Sequence, residues 1–141
     1  MIHFLVSAGL FAADQYCKHN IEQQKNPDRK LLGGEIRVTS YHNRGVFLSF
    51  LSGRERLVRL LSTVASGLFI VLAGLARTRL CRLGLALLAG GGLSNQLDRY
   101  RKGYVVDYFS FRQLPQVVFN LGDIGIFLGA LLTLLGFGLE E

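Results

Sequence analysis

Tryptophan is absent from this 141-residue chain, methionine occurs once, and proline and cysteine occur twice each. Without Trp, any aromatic belt at a lipid–water boundary must come from Tyr and Phe. The two cysteines, Cys17 and Cys81, form no C-x-x-C pair, and no His/Cys cluster suggests a metal. The three histidines, His3, His19 and His42, are scattered and read as surface or interface groups. No basic run precedes the apolar stretch 2–13, so this stretch reads as an uncleaved first helix and not as a secretory leader. Internal repeats and a polar stripe along any one helix are both missing, which argues against a small proton-relaying transporter or assembly subunit.

What the chain does have is apolar mass. Half of its residues are hydrophobic, 17 are Gly, and mean hydropathy is +0.31. Glycine at this frequency suits membrane helices, whose backbones approach closely where side chains are small. The net charge is +6. The basic residues alternate with apolar segments and do not gather in one patch, so lipid head groups are the expected partners and nucleic acid is not.

Four apolar segments stand out, at about residues 2–18, 57–76, 80–97 and 117–139. Their lengths approach the ~20 residues that cross a bilayer core. Arg77-Thr78-Arg79 is too short a link for anything but an antiparallel hairpin of the second and third segments. The links at about 20–56 and 99–116 are polar. Within them, residues 35–41, 46–50 and 104–111 read as strands, with Asn43-Arg44-Gly45 as a turn. The expectation is an all-α membrane protein: one domain of four transmembrane helices, with a small β-sheet on one side. Cys17 and Cys81 then lie on opposite sides of the bilayer and cannot pair. Charge leaves the orientation open, because Arg77, Arg79 and Arg82 crowd the tight turn while the other 13 Lys and Arg lie on the opposite side.

Polar residues gather at one end of the four segments. Asp14 and Lys18 are spaced i, i+4, close enough to pair on one helix face. Asn95 and Asp98 share a face near the end of the third segment, where an Asp98–Arg99 pair could lock the helix to a loop. Asn120 and Asp123 are i, i+3, and both would project from the first turns of a fourth helix beginning near 117. Asp107 and Asp123, 16 residues apart, border stretches where a charge costs about 2.5–3.5 kcal/mol on insertion scales. Each has an ordinary explanation taken singly: a strand-edge acid in water, a first-turn acid at a helix dipole. Taken together they suggest paired carboxylates that share one proton and activate water for hydrolysis.

With Asp14-Gln15-x-x-Lys18, Asn43-Arg-Gly45, Gly90-Gly-Gly-Leu-Ser94-Asn95-Gln-Leu-Asp98-Arg99, Gly103-Tyr-Val-Val-Asp107-Tyr-Phe and Phe119-Asn120-Leu-Gly-Asp123 in view, the chain resembles signal peptidase II, the bacterial lipoprotein signal peptidase. Five motifs in order cover nearly its whole length. The resemblance implies four membrane helices under an extracytoplasmic sheet that cradles substrate, with both termini and the Arg77–Arg79 turn in the cytoplasm. It implies a multi-pass, monomeric aspartyl endopeptidase of the cell membrane that uses no cofactor. The substrate would be a diacylglyceryl-modified prolipoprotein, cut before its lipidated cysteine. Asp107 and Asp123 match the catalytic pair. Asp14, Lys18, Asn43, Gly45, Asn95, Asp98, Arg99 and Asn120 match supporting or substrate-binding positions. Cys17, Phe47-Leu48, Gly122 and the short interval between the two acids depart from the usual pattern and suggest a divergent, compact branch. The alternative is a catalytically silent membrane protein on the same scaffold that binds lipoprotein precursors.

Overall fold

The fold is known from a computed structural model in which residues 1–45, 51 and 53–138 are described. Among the described residues, four α-helices and four strands follow one another in the order α1 (Ile2–Gln23), β1 (Arg29–Leu31), β2 (Ile36–Asn43), α2 (Glu55–Leu75), α3 (Arg79–Arg101), β3 (Val105–Phe111), β4 (Leu114–Phe119) and α4 (Leu121–Gly138). The expected strand at 46–50 lies outside the described residues.

Helix α3 is the axis of the bundle and packs against α1, α2 and α4. Its Gly and Ala residues make this possible. A Cβ built on Gly91 would press into the carbonyl oxygen of Gly122 on α4, and one on Gly129 would stand 2.6 Å from the carbonyl oxygen of Gly84. Two backbones that close leave no room for side chains, the condition under which small residues hold membrane helices together. The outer faces are the reverse. Leu60, Leu61, Val64, Leu68 and Val71 of α2 are exposed, as are Phe127, Leu128, Leu131, Leu134 and Leu135 of α4. Apolar surface on this scale is foreign to a protein bathed in water. Among the described residues, α2 and α4 are long and apolar enough to cross a membrane.

The tight turn is capped from both sides. The Thr78 hydroxyl accepts from the Cys81 amide at 3.1 Å, and Arg82 Nε donates to the Ala76 carbonyl at 2.7 Å. At the other end, Gly103 adopts φ +81°, a left-handed turn suited to glycine, and sends the chain from α3 into β3.

The sheet is antiparallel, in the order β1-β2-β3-β4. β4 is an edge strand, which is where Pro115 is tolerated. β3 is central, and Val105, Val106, Asp107 and Tyr108 are all buried. Phe109 packs against Phe111 and Phe119 at ring centroid separations of 5.7 and 6.1 Å.

Three sequence expectations need correction. The first helix continues past 18 to Gln23, and the third continues past 97 to Arg101, so both carry their polar motifs inside regular helix. The fourth begins at Leu121 and not at 117, because Val117, Val118 and Phe119 belong to β4. Asn120 therefore caps the helix and does not project from it. Its side-chain oxygen accepts from the Asp123 amide at 2.8 Å, and Asp123 Oδ2 accepts from the Asn120 amide at 3.1 Å. This is a reciprocal capping box, and it fixes the first turn of α4.

Candidate active site

The capping box places Asp123 at the mouth of α4, and β3 brings Asp107 beside it. Asparagines tie the two carboxylates together. Asn120 Nδ2 donates to Asp107 Oδ1 at 2.7 Å and also lies 3.0 Å from Asn95 Oδ1. Asn95 Nδ2 donates to Asp123 Oδ1 at 2.9 Å, and Asn43 Nδ2 donates to Asp107 Oδ2 at 3.1 Å. The Asn43 side-chain oxygen in turn accepts from the Gly45 amide at 3.0 Å, so the β2 turn is part of the same network. Amides suit this task because they carry no charge of their own and donate and accept at once.

Asp107 is 2% exposed. Burial, and then the charge of Asp123, push its carboxyl pKa up to about 7, against the opposing hydrogen bonds from Asn43 and Asn120. A group poised there can hold a proton at neutral pH and give it up.

Beneath this pair lies a second cluster. Lys18 is completely buried and ion-paired to Asp14 at 2.8 Å and to Asp98 at 3.2 Å. It also donates to Asn95 Oδ1 at 2.9 Å, so one side chain links the two clusters. Asp98 accepts from the Val106 amide at 3.1 Å, which pins β3 onto α3. Asp14 accepts from the Ser94 hydroxyl at 2.6 Å, the Tyr108 hydroxyl at 3.0 Å and the Leu121 amide at 3.0 Å.

The expected Asp98–Arg99 pair is corrected by this geometry: the ion partners of Asp98 are Lys18 and Lys102. Neighbours in a helix point about 100° apart, so they do not face each other. Arg99 turns to the Gly45 carbonyl at 3.2 Å. Its Nε is buried with no hydrogen-bond partner among the described residues.

Asp107, Asp123, Asn43, Asn95 and Arg99 line one end of a cavity of about 850 Å³. Apart from Ser62 and Ser66, the rest of the wall is apolar and includes Phe69, Leu88, Ile126, Phe127 and Ala130. The polar groups therefore stand at the head of a greasy groove between α2, α3 and α4.

All ten residues singled out in the sequence belong to this one region. Sequence reasoning missed Ser94 and Tyr108 as members of the buried network, and also Gln15, which donates to the Ser94 carbonyl at 3.0 Å and to Asp98 Oδ1 at 3.3 Å. Gln15 and Ser94 lie within the motif strings, but no periodicity announces a contact 79 residues away.

A family model described as signal peptidase (SPase) II matches residues 6–138. The chain belongs to the signal peptidase II family. Among relatives, the lipoprotein signal peptidase of Caldicellulosiruptor bescii is 32% identical over 133 residues, covering 94% of this chain and 87% of that one. The lipoprotein signal peptidase of Trichormus variabilis is 36% identical over 129 residues, covering 89% and 82%. In three dimensions the chain is similar to a bacterial membrane enzyme solved by the in meso method at 2.3 Å resolution, with a TM-score of 0.87, 20% identity, and coverage of 96% and 87%. At that identity the match speaks for the fold alone.

Proposed function

We propose that this signal peptidase II family member is an intramembrane aspartyl endopeptidase. It removes signal peptides from diacylglyceryl-modified prolipoproteins by cutting before the lipidated cysteine. The observation that carries the reading is the pairing of two carboxylates, the buried Asp107 and the half-buried Asp123, through Asn120 and Asn95 at the head of a largely apolar cavity.

In this account the pair holds one proton, carried by Asp107, while Asp123 is ionised. Two donors and the positive end of α4 favour a charge on Asp123. Water lies between the acids. Asp123 takes a proton from it as its oxygen attacks the scissile carbonyl carbon, and Asp107 gives its proton to the carbonyl oxygen. The tetrahedral gem-diol collapses: the C–N bond breaks, the amine leaves with the proton taken by Asp123, and a diol hydroxyl returns a proton to Asp107, leaving a carboxylic acid and restoring the pair. No cofactor takes part. Arg99, whose Nε has no hydrogen-bond partner among the described residues, lines the cavity beside the pair and is suited to hold a substrate carbonyl. The apolar wall takes the acyl chains, whose attachment to the cysteine sets the scissile bond at the depth of the acids.

The same reading makes all four helices membrane spans. α1 and α3, with 22 and 23 residues, have the length. They are less apolar because α3 is enclosed by its neighbours and α1 carries the buried Asp14 and Lys18 within its second half. The enzyme sits in the cell membrane as a monomer, with the Arg77–Arg79 turn in the cytoplasm and the sheet and site at the extracytoplasmic face.

The test is cleavage of a precursor with and without its diacylglyceryl group by the purified, detergent-solubilised protein. Release of the signal peptide before the cysteine, from the lipidated form alone, is the expected result. Binding of the lipidated precursor without cleavage would move the assignment to a silent precursor-binding protein.

A further inference from the structure

The tyrosine next to Asp107 has no part in the chemistry above, yet its hydroxyl sits where three elements meet. Successive residues of a strand face opposite ways. Asp107 therefore faces the cavity, while Tyr108 faces Asp14 on α1 and the first residue of α4. Tyr108 is 8% exposed. Its hydroxyl donates to Asp14 Oδ1 at 3.0 Å and accepts from the Leu121 amide at 2.9 Å. Leu121 is the first residue of α4 and stands two residues before Asp123. One oxygen thus ties the strand that carries one carboxylate to the helix that carries the other.

We propose that Tyr108 is a positioning residue that sets the separation and orientation of Asp107 and Asp123 through this hydroxyl. The proposal rests on the peptidase reading, since it presumes that the two acids work as a pair. Other links between β3 and α4 pass through Asn120, whose side-chain amide bonds Asp107. The Tyr108 tie approaches from the opposite face of the strand, so together the two hold β3 from both sides. The hydroxyl keeps its proton, because burial and the Asp14 charge push its pKa above the ordinary phenol range, and the donor to Asp14 is permanent.

The geometry also indicates how the tie can be cut without unfolding the protein. The Leu121 amide bonds Asp14 Oδ1 directly at 3.0 Å. In Tyr108→Phe the first turn of α4 keeps that partner and no buried amide is orphaned. What is lost is the hold of β3 on α4.

The experiment compares wild type, Tyr108→Phe and Tyr108→Leu in steady-state cleavage of a diacylglyceryl-modified precursor, with thermal unfolding and hydrogen exchange of residues 121–124 measured alongside. Tyr108→Phe should lower kcat by about 10- to 100-fold, as small misplacements of reacting groups do, with KM and unfolding temperature near the wild-type values. Exchange at residues 121–124 should quicken. Wild-type kcat in Tyr108→Phe alongside a dead Tyr108→Leu would assign the role to ring packing and overturn the proposal. So would a loss that appears only in KM, or one that tracks a fall in unfolding temperature. If wild type itself cuts nothing, the peptidase reading fails, and exchange alone decides the tie: unchanged exchange in Tyr108→Phe overturns it.

Discussion

Replacing Lys18 with methionine removes a charge and keeps most of the volume. In the folded protein Lys18 is fully enclosed, with Asp14 at 2.8 Å, Asp98 at 3.2 Å, and the side-chain oxygens of Asn95 and Ser94 at 2.9 and 3.4 Å. Asp98 keeps Lys102 at 3.4 Å. Asp14 keeps only neutral donors, so it becomes the uncompensated buried charge. Breaking a buried pair from one side costs about 3–5 kcal/mol. That is a large share of the roughly 5–15 kcal/mol that holds a typical protein folded. At a few degrees per kcal/mol for a chain of this size, the midpoint should fall by about 10 °C. Thermal unfolding of detergent-solubilised protein reads the change. Lys18→Met combined with Asp14→Asn should recover at least half of the loss, because the orphaned charge goes with its partner. A midpoint within about 3 °C of wild type for Lys18→Met alone, less than 1–2 kcal/mol on the same scale, would refute the claim that this cluster is a structural keystone.

Other expectations follow from the same geometry. Asn120→Ala removes half of the α4 capping box and the bridge between the acids. Stability should fall by about 1–2 kcal/mol and turnover by roughly 100-fold, read by thermal unfolding and by steady-state cleavage. Gly91→Val drives a side chain into the Gly122 backbone and should cost about 3 kcal/mol or more, seen as a lowered midpoint, whereas Gly67→Ala, with open space beside it, should leave the midpoint unchanged. Turnover should decline as pH rises past about 7, where Asp107 loses its proton, and a flat profile to pH 9 would contradict the assignment of Asp107 as the acid. Because that pKa is raised from 3.8 to about 7, its contribution to stability is complete below 3.8 and lost as pH rises through 7. Wild type should therefore unfold more readily at pH 8 than at pH 5, with Asp107→Asn lacking this component of the difference.

How far the sequence disclosed this arrangement varied with the kind of signal. Long apolar runs marked the helices, and the three-residue link marked the α2–α3 hairpin, because both are local. The i, i+4 spacing of Asp14 and Lys18 announced their pair for the same reason. The start of α4 was misread because Val117-Val118-Phe119 is as apolar as a membrane helix, and a short buried strand cannot be told from helix by apolarity. The Asn120-x-x-Asp123 spacing was the signal that could have set the boundary, as a capping box. β1 went unseen because three exposed residues carry no pattern. Tyr108 and the Lys18 partner of Asp98 were illegible for a different reason: their contacts run between α1 and elements 94 and 80 residues away, and depend on how the bundle and β3 pack. The sequence placed the polar residues at one end of the bundle, but not their division into an outer pair of acids and an inner ion cluster.

The central claim is that Asp107 and Asp123 act as one catalytic pair, and single-turnover cleavage of a diacylglyceryl-modified precursor by wild type, Asp107→Asn and Asp123→Asn tests it most directly. The account predicts cutting before the lipidated cysteine by wild type. It predicts no detectable product from either variant, a loss of at least about 1,000-fold, while both variants insert in the membrane and bind the precursor. Cleavage at a near wild-type rate by either variant would contradict it.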